Sequence, residues 1–146
     1  MSGFYEPPPA FGSPFRSRLL NPQWEMIAAH LGRPVPAVLR ALYARPECVL
    51  ASHCRIFLPD GQGELWLDLF LPMDEEAVAP DGMQLPAGAV AFADDEHGDP
   101  YVFVPEDGPA DDGPVFLRRQ EPEGEVMVLI APALSAFLDW ERRQSV

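Results

Sequence analysis

Between Cys54 and Ala131 the chain carries about six segments of strand chemistry separated only by turn signals, while helical periodicity is confined to the residues before and after them. Strands that follow one another without an intervening helix pair antiparallel, because a parallel pair needs a crossover of a dozen or more residues. The order is two helices, a run of strands and one helix. It therefore predicts an α+β fold: two N-terminal helices, about six mainly antiparallel strands in a twisted sheet, and one C-terminal helix.

The first two strand segments, CRIFLP and GELWLDLFLP, flank Asp60-Gly61-Gln62-Gly63 and read as a hairpin. In the second, Leu65, Leu67, Leu69 and Leu71 alternate with Trp66, Asp68 and Phe70. Side chains on a strand alternate between faces, so the leucines are expected in the core and the other three on a partly wet face. A loop rich in Pro, Gly and acids covers Asp74 to Pro86. The remaining strands are GAVAFAD, PYVFVP, PVFLRR and EVMVLIA, with Gly98 in the turn after GAVAFAD.

Residues 1–20, with Pro7, Pro8, Pro9 and Pro14 among aromatics, read as an extended Pro-rich arm, and 21–146 as one domain. A helix is predicted from the Asn21-Pro22 cap to Gly32, with Trp24, Ile27, Ala28 and Leu31 on its inner face. A second is predicted from near Pro36 to Pro46, burying Val38, Leu39, Leu42 and Tyr43. The last is expected to carry Leu134, Phe137, Leu138 and Glu141 on one side, with Arg142 and Arg143 near its negative end.

Charge is the strongest compositional signal. The net charge is -13, and it is unevenly placed: residues 1–58 carry +3, residues 59–125 carry -16, and the remainder balances. Such a field repels nucleic acid and anionic membranes and attracts basic partners. All ten basic residues are Arg, which excludes lysine Schiff bases and P-loop phosphate binding. No apolar stretch approaches the length of a membrane span, and the N-terminus lacks the basic and apolar regions of a secretory signal, so a cytoplasmic protein is expected.

Catalytic and metal motifs are not found. The pairs at Asp74-Glu75-Glu76, Asp94-Asp95-Glu96 and Asp111-Asp112 sit in turns beside Gly and Pro, where carboxylates stay solvated rather than acting as a general acid and base. A calcium loop starting at Asp94 would need Gly at its sixth position, and Gly98 falls at the fifth. His30, His53 and His97 lack ligand spacing. His53 and Cys54 are adjacent on a strand and face opposite ways, and Cys48 and Cys54 read as small hydrophobes. The expectation is a protein that is no enzyme, with no cofactor and no metal.

The run VAFADDEHGDPYVF from Val90 to Phe103 resembles the central signature of the SUKH superfamily, which includes the fungal cell-wall-synthesis regulator domain and many bacterial immunity proteins. The likeness lies in an apolar-Phe-Ala strand, acids, a Gly, a polar residue and an aromatic strand. Pro114-Val115-Phe116 resembles the next strand, and Leu129-Ile130-Ala131 with Leu134 and Phe137-Leu138 the closing strand and helix. Upstream, Leu31-Gly32-Arg33-Pro34-Val35-Pro36 followed by Leu39 and Tyr43 resembles the family's opening, with Val35 where Leu is usual. The resemblance covers about residues 22–140 and assigns structural motif roles to Gly32, Pro36, Phe92, Gly98, Tyr101 and Phe137. Two positions depart: Arg45-Pro46-Glu47 stands where Asn-Gly is usual, and Ala133 where a Ser caps the last helix. A missing cap costs about 1 kcal/mol unless another group supplies it.

The resemblance implies a non-enzymatic domain that binds protein, either an immunity protein neutralising a cognate toxin or a general interaction module without one. A nuclease toxin presents a positive surface. With the charge reading, this makes Asp74, Glu75, Glu76, Asp94, Asp95, Glu96, Asp111 and Asp112 the candidate partner-binding residues. The partner is then a basic toxin domain, with no nucleic acid and no membrane, and the protein is a monomer or weak homodimer. Neutralising Asp94, Asp95 and Glu96 together is expected to leave thermal stability nearly unchanged.

Overall fold

A computed structural model describes residues 13–106, 111–140 and 142–144. Four helices come first: α1 (Ser13–Leu19), α2 (Trp24–Leu31), α3 (Ala37–Tyr43) and the single turn α4 (Pro46–Val49). Strands β1 (Ser52–Phe57) and β2 (Glu64–Phe70) lead to α5 (Glu75–Val78) and then to β3 (Val90–Asp94), β4 (Pro100–Phe103), β5 (Val115–Glu121) and β6 (Gly124–Ala131). Helix α6 (Leu134–Asp139) and a short β7 (Arg142–Gln144) close the chain.

The strands form one sheet in the order β6-β5-β4-β3-β2-β1-β7, with every pairing antiparallel. The meander from β1 to β6 follows from the turn-linked strand segments. The last strand instead returns to the free side of β1. The terminal helix therefore ends at Asp139, and Arg142 and Arg143 lie in β7 rather than at its C-terminus. Glu141 and residues 1–12 lie outside the described residues.

Three further expectations change. Within the Pro-rich arm, residues 13–19 are helical, and Leu19 is buried against the core with Phe15 packed beside it. Asn21 does not cap α2, because its side-chain amide donates to the Ser17 carbonyl at 2.7 Å. The helix begins three residues later, where the Gln23 N–H is tied to the Met73 carbonyl at 2.9 Å. Pro46 opens α4 instead of only ending α3.

Phe70, expected on the wet face of β2, is fully buried in the same core cluster as Leu67. The physical reason is that the alternation of faces breaks between Leu67 and Phe70: Phe70 joins Leu67 in the main cluster, whereas Leu69 and Leu71, expected in the core beside Leu67, pack in a second cluster on the other side. The middle of the sheet is thus covered twice. One layer is the helices. The other is the segment after β2, where Leu71, Leu85 and Ala89 pack against Ala91 and Val102 in a second cluster. The loop expected from Asp74 to Pro86 contains α5 and a 3-10 turn at Pro80–Gly82. Its cover explains why β3 (VAFA) and β4 (PYVF) are continuously apolar and buried on both sides.

Six aromatic rings and one hydroxyl hold the two ends of the domain together. Phe137 of α6 meets Phe92 edge-on at 5.6 Å and lies 5.5 Å from Tyr101 and 5.7 Å from Trp140. Trp24 meets Tyr43 edge-on at 5.9 Å, and the buried Tyr43 hydroxyl donates to the Leu71 carbonyl, fixing α3 to the sheet.

Candidate functional site

Each family-motif residue has a specific structural task. Gly32 ends α2 with φ 73°, donating its N–H to the Ala28 carbonyl, and Pro36 precedes the first residue of α3. Phe92, Tyr101 and Phe137 form the aromatic cluster, and the Tyr101 hydroxyl donates to the Trp66 carbonyl at 2.6 Å. Burial raises the Tyr101 pKa, so it stays a neutral donor.

Gly98 sits in the β3–β4 turn with φ 81°. A Cβ built there meets nothing within 4 Å, so any penalty is one of backbone angle and not of space. Gly98→Val is expected to lower unfolding free energy by at least about 1 kcal/mol in urea titration, with no change in the fold.

The eight candidate acids divide by what they already hold. Asp74 caps α5, accepting from the Glu76 N–H at 3.0 Å, and forms a two-point pair with Arg18 at 2.8 and 3.2 Å. Asp95 is only 8% exposed, and one of its oxygens accepts from the backbone N–H groups of His97 and Asp99 at 2.8 and 2.9 Å. The triple neutralisation of Asp94, Asp95 and Glu96 would therefore disturb the turn itself, because an amide holds those two donors less strongly than a carboxylate. Asp111, at φ 51°, accepts from the Ala37 N–H at 3.0 Å and so caps α3, with Arg33 3.6 Å away.

Asp112 supplies the cap that Ala133 lacks. Its carboxylate accepts from the Leu134 N–H at 2.8 Å and the Ser135 N–H at 3.3 Å, reaching α6 from a loop 22 residues upstream. This long-range cap cannot be read from the residues next to the helix.

Glu75, Glu76, Asp94 and Glu96 are less committed. Glu75 and Glu96 are exposed; Glu76 stands 4.0 Å from Arg18, and Glu96 3.5 Å from His97. Asp94 ends β3 beside Leu69 of β2. Its carboxyl is pushed from 3.8 up to about 7, first by burial and then by the charges of Asp81, Glu76, Asp95 and Asp68. The sheet and the segment that covers it thus bring together five acids from four separate stretches of chain. Sequence reasoning placed Asp68 in solvent and did not single out Asp81. The only local hint was the Asp81-Gly82 turn, since proximity to Asp94 depends on how that segment folds back.

The raised pKa has a consequence for stability. Below about pH 4 both the folded and the unfolded Asp94 carboxyl are protonated; between about 4 and 7 only the folded one retains its proton, so stability falls as pH rises across this window. Above 7 the full penalty of a charged Asp94 is present. Asp94→Asn is expected to stabilise the protein by about 1–2 kcal/mol near pH 8, after allowing for solvent screening at this partly exposed site. The gain should vanish near pH 4, as measured by thermal melts across that range.

Next to this acidic face Arg55 lies over the Trp66 ring at 4.8 Å, and His53 Nδ1 is 2.7 Å from Asp68. His53 is exposed while Cys54 is buried, so the two do face apart. His30 is partly buried and bonded to the Ala89 carbonyl at 2.9 Å. A shallow cleft lined by Glu64, Trp66, Asp95, Glu96, His97 and Arg119 opens at the β3–β4 turn. Asp94 does not line it. Among the described residues no three His, Cys, Asp or Glu side chains are arranged to hold a metal. No helix among them is long and apolar enough to cross a membrane.

A single antiparallel sheet backed by helices defines the class as an α+β domain. The chain belongs to the SMI1 / KNR4 family (SUKH-1), whose model matches residues 23–140. No curated protein and no solved structure matched it.

Proposed function

We propose that this protein is a non-enzymatic, cytoplasmic binding domain of the immunity type, which neutralises a nuclease toxin by laying the acidic face around Asp94 on the toxin's basic surface. The observation that carries this reading is the crowding of Asp68, Glu76, Asp81 and Asp95 around a partly buried Asp94. Within that group the repulsion is relieved when an arginine or lysine of a partner enters. Arg55 stacked on Trp66 adds, at the edge of the same face, the residue types that dominate binding energy at protein interfaces. Caps such as Asp74, Asp95, Asp111 and Asp112 hold the loops that carry the face.

A basic side chain placed beside Asp94 lowers its pKa, so binding releases a proton. Affinity is therefore expected to rise with pH up to about 7 and then level off.

The test is association kinetics with a basic toxin domain encoded beside this chain, using the combined variant Glu76→Gln, Asp81→Asn and Asp94→Asn. This choice leaves Asp74 and Asp95 in place. Asp81, at φ 54°, tolerates Asn, which shares its ease in the left-handed region. Association should slow by about tenfold or more at low salt. The difference should shrink as the Debye length falls from about 10 Å at 0.1 M to about 3 Å at 1 M. Equal rates at low salt would overturn this face as the binding surface, and no binding at all would overturn the toxin assignment.

A further inference from the structure

The two ends of the sheet are finished very differently. At one end lies β7, three residues long. At the other lies β6, eight residues long and paired to β5 from Gly124 to Leu129 and again at Ala131. No strand covers its outer side among the described residues. Sheet edges in proteins are ordinarily blunted by charge, proline, a bulge or brevity, because a free row of N–H and C=O groups templates pairing with another chain. The outer half of β6 carries one such device, a bulge that leaves Ile130 unpaired between Leu129 and Ala131, and from Val126 to Leu129 it has none. From Val126 to Ala131 it reads VMVLIA, without a charge or a proline. Three of the four exposed large hydrophobics among the described residues fall on it: Val126, Met127 and Leu129, the last at 60%.

From this we infer that β6 is a self-association edge, pairing antiparallel with β6 of a second copy of the chain across a two-fold axis. Charge selects this occupant. A strip without charge offers nothing to a basic partner, whereas a second copy presents an identical uncharged strip, as isologous contact requires. Pairing centred on Val128 sets Met127 opposite Leu129 and brings Val126 to the bulged Ile130, so apolar side chains face one another. It also sets each Glu125 opposite Ala131. The two Glu125 residues are then separated by six positions, roughly 20 Å at about 3.4 Å per residue, which is twice the Debye length of about 10 Å at 0.1 M salt. The two sheets become continuous, and the acidic face around Asp94, three strands away on β3, is left clear. A contact confined to one strand is small, so the dimer is weak and dependent on concentration.

The experiment is sedimentation equilibrium of the full chain from roughly 5 to roughly 500 μM, a range suited to weak interfaces. The mass should rise from the monomer's 16.1 kDa towards twice that value. Raising salt should strengthen the dimer, because it screens repulsion between two chains of net charge -13. Met127→Lys and, separately, Leu129→Lys should each weaken the dimer about tenfold or more without lowering the melting temperature, since both side chains are exposed. Val128→Cys should give an intermolecular disulfide under mild oxidation, reporting the register, because Cys48 and Cys54 are buried. A monomer at every concentration would overturn the inference. So would a dimer that both lysine variants leave unchanged.

Discussion

Gly113→Ala is expected to destabilise the protein by about 3 kcal/mol or more. Gly113 is buried where the loop entering β5 runs against the end of β4. A Cβ there would lie 2.1 Å from the Val104 carbonyl oxygen and 2.9 Å from the Pro105 Cα. All the atoms it meets are backbone, so no side chain can swing aside. The Val104 and Glu106 N–H groups are bonded to Pro114 and Asp112 carbonyls across the same gap, at 3.1 and 2.8 Å. Moving the loop away would break these bonds. It would also withdraw both acceptors that reach the Leu134 N–H, the Gly113 carbonyl and the Asp112 carboxylate, each at 2.8 Å. Helix α6 should therefore fray together with the loss of stability. Urea unfolding followed by circular dichroism checks both, and a change under about 0.5 kcal/mol would show that the strands do not approach this closely.

Leu67→Ala is expected to cost about 2–5 kcal/mol. Leu67 is fully buried in β2 and lies opposite the buried Cys54 of β1, in the same core cluster as Phe70 and Ile56. Truncation leaves a cavity that close-packed neighbours fill only in part. Leu129→Ala, at a leucine that is 60% exposed, provides the control and should stay within about 0.5 kcal/mol. Equal losses at the two positions, measured by the same urea titrations, would show that the face of β2 is misassigned.

Much of the fold was legible in the residues. Turn-linked strand segments gave the antiparallel meander, and the spacing of Ile27 with Leu31 and of Leu39 with Leu42 and Tyr43 gave the inner faces of α2 and α3. Gly98, placed in the turn after GAVAFAD, has φ 81°, an angle that favours glycine. The resemblance to the SUKH signature rested on residues that prove to be turn, cap and core positions, and the family match spans the same region.

Less was legible of the candidate site. Chemistry at adjacent positions showed which residues were acidic, but not what each carboxylate touches. Asp74, Asp95, Asp111 and Asp112 appeared equivalent to Glu75 and Glu96, yet each accepts backbone N–H groups that orient a turn or a helix.

The sequence by itself determined the helices α2 and α3 ahead of the strands, the antiparallel meander from β1 to β6 and the charge of the 59–125 region, because these depend on local periodicity, turn chemistry and composition. Only the tertiary structure decided that β7 returns beside β1, that Phe70 is buried, that Asp112 caps α6 and that Asp68, Glu76 and Asp81 crowd Asp94. Each of these depends on segments distant along the chain meeting in space, where burial and Coulomb interaction act over a few ångströms whatever the separation in sequence.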